Sequence, residues 1–501
     1  MEENLPAQNP KKHKLHGAQD IHGNSKCLGS LPDVVLLHIL SFLPTKDAVR
    51  MSVLSKKWEY LWTSLPHLWF ELTLSDNKRL FMNFVERVLC LHHADIERFT
   101  LSCELPCDET RVNLWISAAV RKNVQELSLS LNQDRTFSWP KCLFNRATLT
   151  KLYIKIPHLG RLPHAICFSS LKILTLARVE FVDERSIQKL FSGLPVLEEL
   201  YLVHCSWKVI EFPSIFAPRL YFLKILTLER VEFVNECSRM LFYGLPVLEE
   251  LYLVNCSWKF MSISAPRLKF LSITELRMQE LRDCQIMIFG DSLKEYVYSG
   301  PLLTDYYLHK NLSLEKADID VFPSEMTLKG SAYRLYKLLT VLCNVKHLTL
   351  SDEVVKVLWN APELLPYLPV FNNLLDLAFM GLKVDLSYVG LLRILHNSPC
   401  LRTLTFVQGI NCLLVCDEDD WILDPMPSCF KSHLKCIKVL RYTGDERELS
   451  AVKILLKNAV ALDKMVISWC LAGELVSEKQ ILCERLLKLP KGSRNCEIVF
   501  E

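Results

Sequence analysis

The sequence predicts an α/β chain in three parts: a short N-terminal module of three helices, a long irregular solenoid of stacked leucine-bearing rungs, and a C-terminal α/β segment that caps it. Three observations carry this. Residues 30–62 hold three short amphipathic stretches separated by proline and serine. From residue 96 to 268, strand-like leucine phrases recur at intervals of 20 to 28 residues. After residue 417 those phrases give way to alternating helical and strand-like runs. A chain of 501 residues exceeds one ordinary core, so several domains or a repeat architecture is expected.

The first 26 residues are polar, carry Pro6 and Pro10, and lack apolar periodicity, so a disordered tail is expected there. Lys11, Lys12 and Lys14 within it read as a solvated charge run. The helical module follows. Pro32 stands where a first helical residue belongs, and Leu36, Ile39, Leu40 and Leu43 recur at i, i+3, i+4 and i+7. Pro44 stops this helix, Thr45 is positioned to cap the next, and Ala48, Val49 and Val53 give that helix an apolar face. Ser55 offers a further cap for a third helix carrying Trp58, Leu61 and Trp62. So many apolar side chains on so few residues imply a segment built to dock on something.

The order Leu31-Pro32, Ile39-Leu40, Leu43-Pro44, Val49, Leu54-Ser55, Trp58 and Leu61-Trp62 resembles the F-box, with the module bounded at 27–73. The family often has an acidic residue where Val34 stands. The resemblance implies that Leu31, Pro32, Leu36, Ile39, Leu40, Leu43, Pro44, Val49, Leu54, Trp58, Leu61 and Trp62 bind a Skp-family adaptor and, through it, a cullin.

The rungs are read from IERFTL at 96, VQELSL at 124, LTKLYI at 149, LKILTL at 171, LEELYL at 197, LKILTL at 223, LEELYL at 248 and LKFLSI at 268. VKHLTL at 345, LLDLAF at 374 and LRTLTF at 401 continue them, while the pattern blurs between 293 and 345. This is the period of leucine-rich repeats, and the best copies fit L-x-x-L-x-L-x-x-N/C. One rung cannot bury its own leucines, so rungs stack. The solenoid is expected over 90–410.

Residues 171–208 and 223–259 are near copies, a tandem duplication of a two-rung unit. The offset is 52 at Leu171/Leu223 and 51 at Phe191/Phe242, which places a one-residue deletion in the crossover between the strands. Within a strand a shift would turn the leucines outward. Side chains alternate across a strand, so Thr175, Tyr201, Thr227 and Tyr252 are expected in one concave row and Ile173, Glu199, Ile225 and Glu250 in the next. These eight residues form the candidate substrate surface. The rival expectation for them is a solvated or self-packed ladder.

In the C-terminal segment, 448–459 reads as a helix, KMVIS as a strand, 478–489 as a second helix and CEIVF as a final strand. Trp421, Tyr442, Gly444, Glu448, Leu462, Met465, Pro490 and Cys496 fall in an order that resembles the FBD domain, over 417–501. Such a segment is expected to extend the sheet and hide its edge. The whole chain thus resembles the plant F-box/FBD/LRR-repeat proteins, with the duplicated unit as an addition.

Other classes are not supported. A net charge of +3 on so many ionisable groups names no electrostatic partner, so nucleic acid is not expected. No apolar run reaches the ~18 residues of a membrane span, so none is expected either. The 19 cysteines are odd in number and scattered, which suits buried thiols in a reducing compartment. The pairs Cys103/Cys107 and Cys412/Cys416 lack a second ligand pair, and the acidic run Asp417–Asp420 lacks the glycine and terminal glutamate of a calcium loop. His92-His93 near Cys90 reads as surface. No catalytic phrase is present, so neither catalysis, metal nor cofactor is expected. The family resemblance implies the receptor subunit of an SCF-type ubiquitin ligase, nuclear or cytoplasmic. The alternatives are a scaffold that directs no ubiquitination and a receptor gated by a small molecule. The last would want a basic pocket, and the two named rows contain no arginine.

Overall fold

The structure is a computed structural model that describes residues 31–501, apart from 134–136, 161, 164, 182–183, 208–219, 232–241, 243–244, 259, 276–283, 309–312, 323–327, 413–424 and 471–475. The N-terminal tail with its lysines, Cys416, the acidic run at 417–420 and Trp421 lie outside the described residues.

Seventeen parallel strands make one sheet, and each pairs with its neighbours in chain order. They are β1 His67–Leu72, β2 Arg98–Cys103, β3 Glu126–Leu131, β4 Lys151–Lys155, β5 Ile173–Ala177 and β6 Glu199–Val203. Next come β7 Ile225–Glu229, β8 Glu250–Val254, β9 Phe270–Thr274, β10 Glu295–Gly300, β11 Lys316–Val321 and β12 His347–Ser351. The series ends with β13 Asp376–Met380, β14 Thr403–Phe406, β15 Cys436–Tyr442, β16 Lys464–Trp469 and β17 Glu497–Phe500. Every phrase read from the sequence places a strand starting two residues after its first apolar residue. The L-x-x-L-x-L leucines, such as Leu197, Leu200 and Leu202, are fully buried.

Four strands of the main sheet that the sequence did not resolve use other core residues, and one of them, β15, buries Ile437, Val439 and Tyr442. β1 buries Leu68, Phe70 and Leu72, β10 buries Tyr296 and Tyr298, and β11 buries Ala317 and Ile319. Helices complete the crossovers: α1 Asp33–Ser41, α2 Thr45–Arg50, α3 Lys78–Leu91, α4 Glu109–Arg121, α5 Glu184–Ser192 and α6 Leu328–Val341. They continue as α7 Asp352–Trp359, α8 Val389–His396, α9 Ser428–Ser432, α10 Glu446–Asn458 and α11 Val476–Leu487. Asn77 and Asp108 cap α3 and α4 through their side chains. Where crossovers are short, Phe260–Ser264, Gln285–Phe289 and Asp305–Leu308 form a second parallel sheet instead.

The C-terminal segment extends the main sheet as expected, contributing β15 to β17. It does not hide the edge: β17 pairs on one side only among the described residues. At four residues it is a short edge, which limits its capacity to template another strand.

The duplication is seated in register. Ile173 faces Glu199, Glu199 faces Ile225, and Ile225 faces Glu250, while Thr175, Tyr201, Thr227 and Tyr252 pair in the same way. Phe191 and Phe242 are both buried, so the lost residue falls in the crossover and leaves the strands unshifted. Because β7 copies β5, deleting residues 171–222 brings β4 against β7 with the contacts it now makes to β5. We expect that deletion to fold, with cooperative unfolding and a melting temperature within a few degrees of the parent by circular dichroism. Loss of cooperative unfolding would show the unit is not modular.

Candidate functional site

The N-terminal module departs from the sequence reading in ways that decide which face is free. Helix α1 begins at Asp33 with Pro32 as its N-cap residue. Thr45 is the first residue of α2 rather than its cap, and its hydroxyl accepts the backbone N–H of Trp69 at 2.7 Å. The expected third helix is a series of turns ending in a 3-10 turn, Leu61–Ser64. The Trp62 indole donates to Glu59 O at 3.0 Å and the Thr63 hydroxyl to Tyr60 O at 2.6 Å. These side chains occupy carbonyls that an α-helix would use.

Of the twelve residues expected to meet an adaptor, Leu36, Leu40, Trp58 and Trp62 are instead buried inside the chain, in a cluster continuous with Leu65, Leu68 and Phe70. The assignment is corrected for these four, whose apolar faces are already covered by the first rung. Leu31, Ile39, Leu43, Pro44, Val49 and Leu61 are half-buried, and Pro32 and Leu54 are exposed. The outward apolar residues Val34 (78 % exposed), Val35, Phe42 (73 %), Val53 (87 %) and Tyr60 stand outside the expected adaptor-binding set, and Val53, expected on the apolar face of α2, lies in a 3-10 turn beyond that helix. Val34, Val35 and Phe42 lie on a second stripe of α1 together with His38, whose ring meets that of Phe42 at 4.9 Å. Spacing of 34, 38 and 42 was the available signal. Lys57 closes the module by donating to Leu31 O at 2.5 Å and pairing with Asp33 at 3.4 Å.

The module is tied to the repeats. His92 is buried, not at the surface, and its Nε2 bonds Leu65 O at 2.8 Å while Lys122 donates to His92 O at 2.7 Å. Desolvation lowers the His92 pKa, so the neutral ring is favoured there. A cleft of about 420 Å³ opens between α2, β1 and α3, lined by Trp69, Phe70, Leu80, Phe81 and Phe84 among others.

The open face of the sheet holds the second set of candidates. Ile173, Thr175, Glu199, Tyr201, Ile225, Thr227, Glu250 and Tyr252 are all half-buried and stand in the two rows expected. Part of the self-packed expectation is also met. The Tyr201 hydroxyl donates to Glu199 Oε2 at 2.9 Å and Tyr252 to Glu250 Oε2 at 2.7 Å. Desolvation, helped by those carboxylates, pushes each phenol up to about 12. Tyrosine rings are thereby held upright, and the Tyr252 ring lies 5.1 Å from that of Phe270.

Charge along the strand starts is internally paired. Glu126 binds Arg98 at 2.8 Å and Lys151 at 2.7 Å, and Glu198 binds Lys224 at 2.9 Å and Lys172 at 3.1 Å. Hydrogen bonds from Lys224 and Lys172 hold Glu198 below the ordinary carboxylate range. Such exposed pairs add little stability and chiefly keep adjacent rungs compatible.

At the strand ends the structure adds a third row. Arg178, His204, Arg230 and Asn255 follow β5 to β8 and all adopt positive φ, 57°, 54°, 51° and 53°. Each donates its N–H to the last carbonyl of the next strand, at 2.7, 2.7, 2.7 and 2.6 Å. Arg178 and Arg230 are duplicate copies in the phrase R-V-E-F, which was the signal for this row.

Comparison with known proteins fits this architecture part by part. The F-box domain model matches residues 28–70, the FBD model 424–467, and the model of the LRR repeats of FBD-associated F-box protein At5g56370 matches 112–291. F-box/LRR-repeat protein At3g59210 of Arabidopsis thaliana is 30% identical over 469 residues, 88% of this chain and 87% of that protein. The chain belongs to the plant F-box/FBD/LRR-repeat family. Arabidopsis F-box/FBD/LRR-repeat protein At5g56420 is 28% identical across 95% of this chain and 98% of its own length. FBD-associated F-box protein At5g56370 is 27% identical across 94% and 98%. F-box domains generally bind Skp1-family adaptors, and leucine-rich repeats bind substrates.

Proposed function

We propose that this chain is the substrate-recognition subunit of an SCF-type ubiquitin ligase, acting in the nucleus or cytoplasm. The observation that carries the reading is the outward apolar set Val34, Val35, Phe42, Val53, Leu54 and Tyr60 on a module fastened to the first rung of a solenoid. A soluble surface has little other use for so much apolar area on one small module. A Skp-family adaptor covers it and links the chain to a cullin. Substrate held on the repeats is then presented to a charged conjugating enzyme, and the chain contributes effective concentration rather than covalent chemistry.

The test compares plant cells expressing the full chain or Phe42→Glu/Val53→Glu, with and without proteasome inhibition. Proteins captured by both forms should be depleted only by the wild-type chain and recover when the proteasome is blocked. Captured partners whose abundance ignores the wild-type chain would instead identify a scaffold.

A further inference from the structure

We propose that the open face spanning β4 to β8 takes an acidic, extended segment of the substrate protein, anchored by Arg178 and Arg230. This rests on the receptor reading above and adds the class of cargo. Three facts converge on it.

The first is unspent charge. Among the described residues no carboxylate lies within ion-pair distance of Arg178 or Arg230, and both are exposed. Elsewhere on this sheet, at the strand starts, lysines and arginines are matched to glutamates of adjacent rungs. The acidic groups near the row are Glu229, 3.7 Å from His204, and Glu199 and Glu250, each accepting from a tyrosine hydroxyl, and none of the three pairs with Arg178 or Arg230. Arg230 also reaches His204 at 3.4 Å, which leaves the imidazole as an acceptor to the guanidinium rather than an anion sink.

The second is backbone. Left-handed geometry is unfavourable for arginine and histidine, and it recurs here in consecutive rungs. It carries the row past the ends of β5 to β8, with Arg178 near Tyr153. Asn255 closes that row, and its Oδ1 is buried with no hydrogen-bond partner.

The third is spacing. Adjacent parallel strands lie about 4.8 Å apart, so Arg178 and Arg230, two rungs apart, are separated by about 9.6 Å along the row. An extended segment in the polyproline II conformation rises about 3.1 Å per residue with three residues per turn, so residues i and i+3 share one face about 9.3 Å apart. The row therefore selects acidic residues at i and i+3. Arginine forks suit carboxylate and phosphate alike.

The experiment uses the full chain and fluorescein-labelled peptides of Gly, Ser and Tyr that carry Glu-x-x-Glu, adjacent Glu-Glu, Lys-x-x-Lys, or phosphoserine at the two acidic positions. By anisotropy, Glu-x-x-Glu should bind better than Glu-Glu, and Arg178→Glu/Arg230→Glu should weaken it on the order of tenfold or more, as loss of charge-assisted bonds requires. Lys438→Glu, on a distant rung, should leave binding unchanged. Phosphoserine peptides whose binding falls in the same double variant support the site, and extend it to phosphorylated cargo. The inference is overturned by absence of peptide binding, by equal binding to the double variant, by preference for Lys-x-x-Lys, or by binding of tripolyphosphate when no peptide binds. Both arginines are exposed, so the variant is expected to keep its circular dichroism spectrum. Adaptor capture is measured on the same preparations: a chain that captures adaptor and ignores peptide fails only this inference, and one that binds peptide but no adaptor fails only the receptor reading.

Discussion

Replacing Phe42 and Val53 by glutamate is expected to abolish capture of a Skp-family adaptor while leaving the melting temperature of the chain unchanged. Both side chains are outward, at 73 % and 87 % exposed, so neither contributes much to the core. Covered by a partner, each large apolar side chain contributes roughly 1.5–3 kcal/mol. A carboxylate put in its place must be desolvated without a partner, which adds to the loss. Since 1.4 kcal/mol is about tenfold, two such sites together correspond to a loss on the order of a thousandfold or more. Trp58→Ala and Leu36→Ala should behave differently. These residues are buried against the first rung, and removing them costs about 3–5 and 2–5 kcal/mol of folding energy respectively. Adaptor capture then fails because the module loosens, with a lower melting temperature. The assignment of the outer face is wrong if the glutamate variant still captures adaptor, or if Trp58→Ala loses capture with no loss of stability.

That contrast marks where the sequence was legible. Apolar periodicity announced the α1 helix, but the helix carries two apolar stripes, one through Leu36 and Leu40 and one through Val34 and Phe42. Periodicity has no sign for inward, so it does not distinguish the stripe that docks from the stripe that the first rung covers. The rungs were legible where leucine repeats. They were not where β10 buries tyrosines, because a tyrosine core needs partners from elsewhere in the chain. The Tyr298 hydroxyl donates to Glu275 at 2.8 Å and accepts from Leu302 N at 2.7 Å, contacts that no local pattern encodes. The two rows of the open face followed from alternation alone. Arg178 and Arg230 lay one step beyond the strand, where alternation ends and a left-handed residue redirects the chain. Glu448 was placed by resemblance without a role, because its partners come from separate turns and a distant loop.

Those partners make Lys383→Ala the other substitution with a large expected effect. Glu448 sits in α10 of the FBD region with no exposed surface. Its Oε2 accepts from Thr443 N at 2.8 Å, the Thr443 hydroxyl at 2.8 Å and Gly444 N at 3.0 Å. Its Oε1 forms an ion pair with Lys383 Nζ at 2.8 Å, and that ammonium also donates to Thr443 Oγ1 at 3.0 Å. Lys383 directly precedes the short strand Val384–Asp385 of the repeat region, so the pair fastens the FBD region to the solenoid. Two glycines make room: Gly409, where a Cβ would stand 3.0 Å from Glu448 Oε1, and Gly444, at φ +83°, where it would strike Leu482 at 2.5 Å. Removing the lysine leaves a buried carboxylate without its counter-charge, which costs about 3–5 kcal/mol. Amide exchange in α10 should then accelerate roughly a hundred- to a few thousandfold, while exchange in β2 to β8 stays as it was. Lys383→Met/Glu448→Leu should lose less than the sum of the single variants, because an apolar pair needs no counter-charge. It should still fall short of the parent, since Thr443 N and Gly444 N lose their acceptor. Unchanged exchange in α10 of Lys383→Ala would mean that the FBD region is held to the repeats by its continuous sheet through β14 and β15 alone.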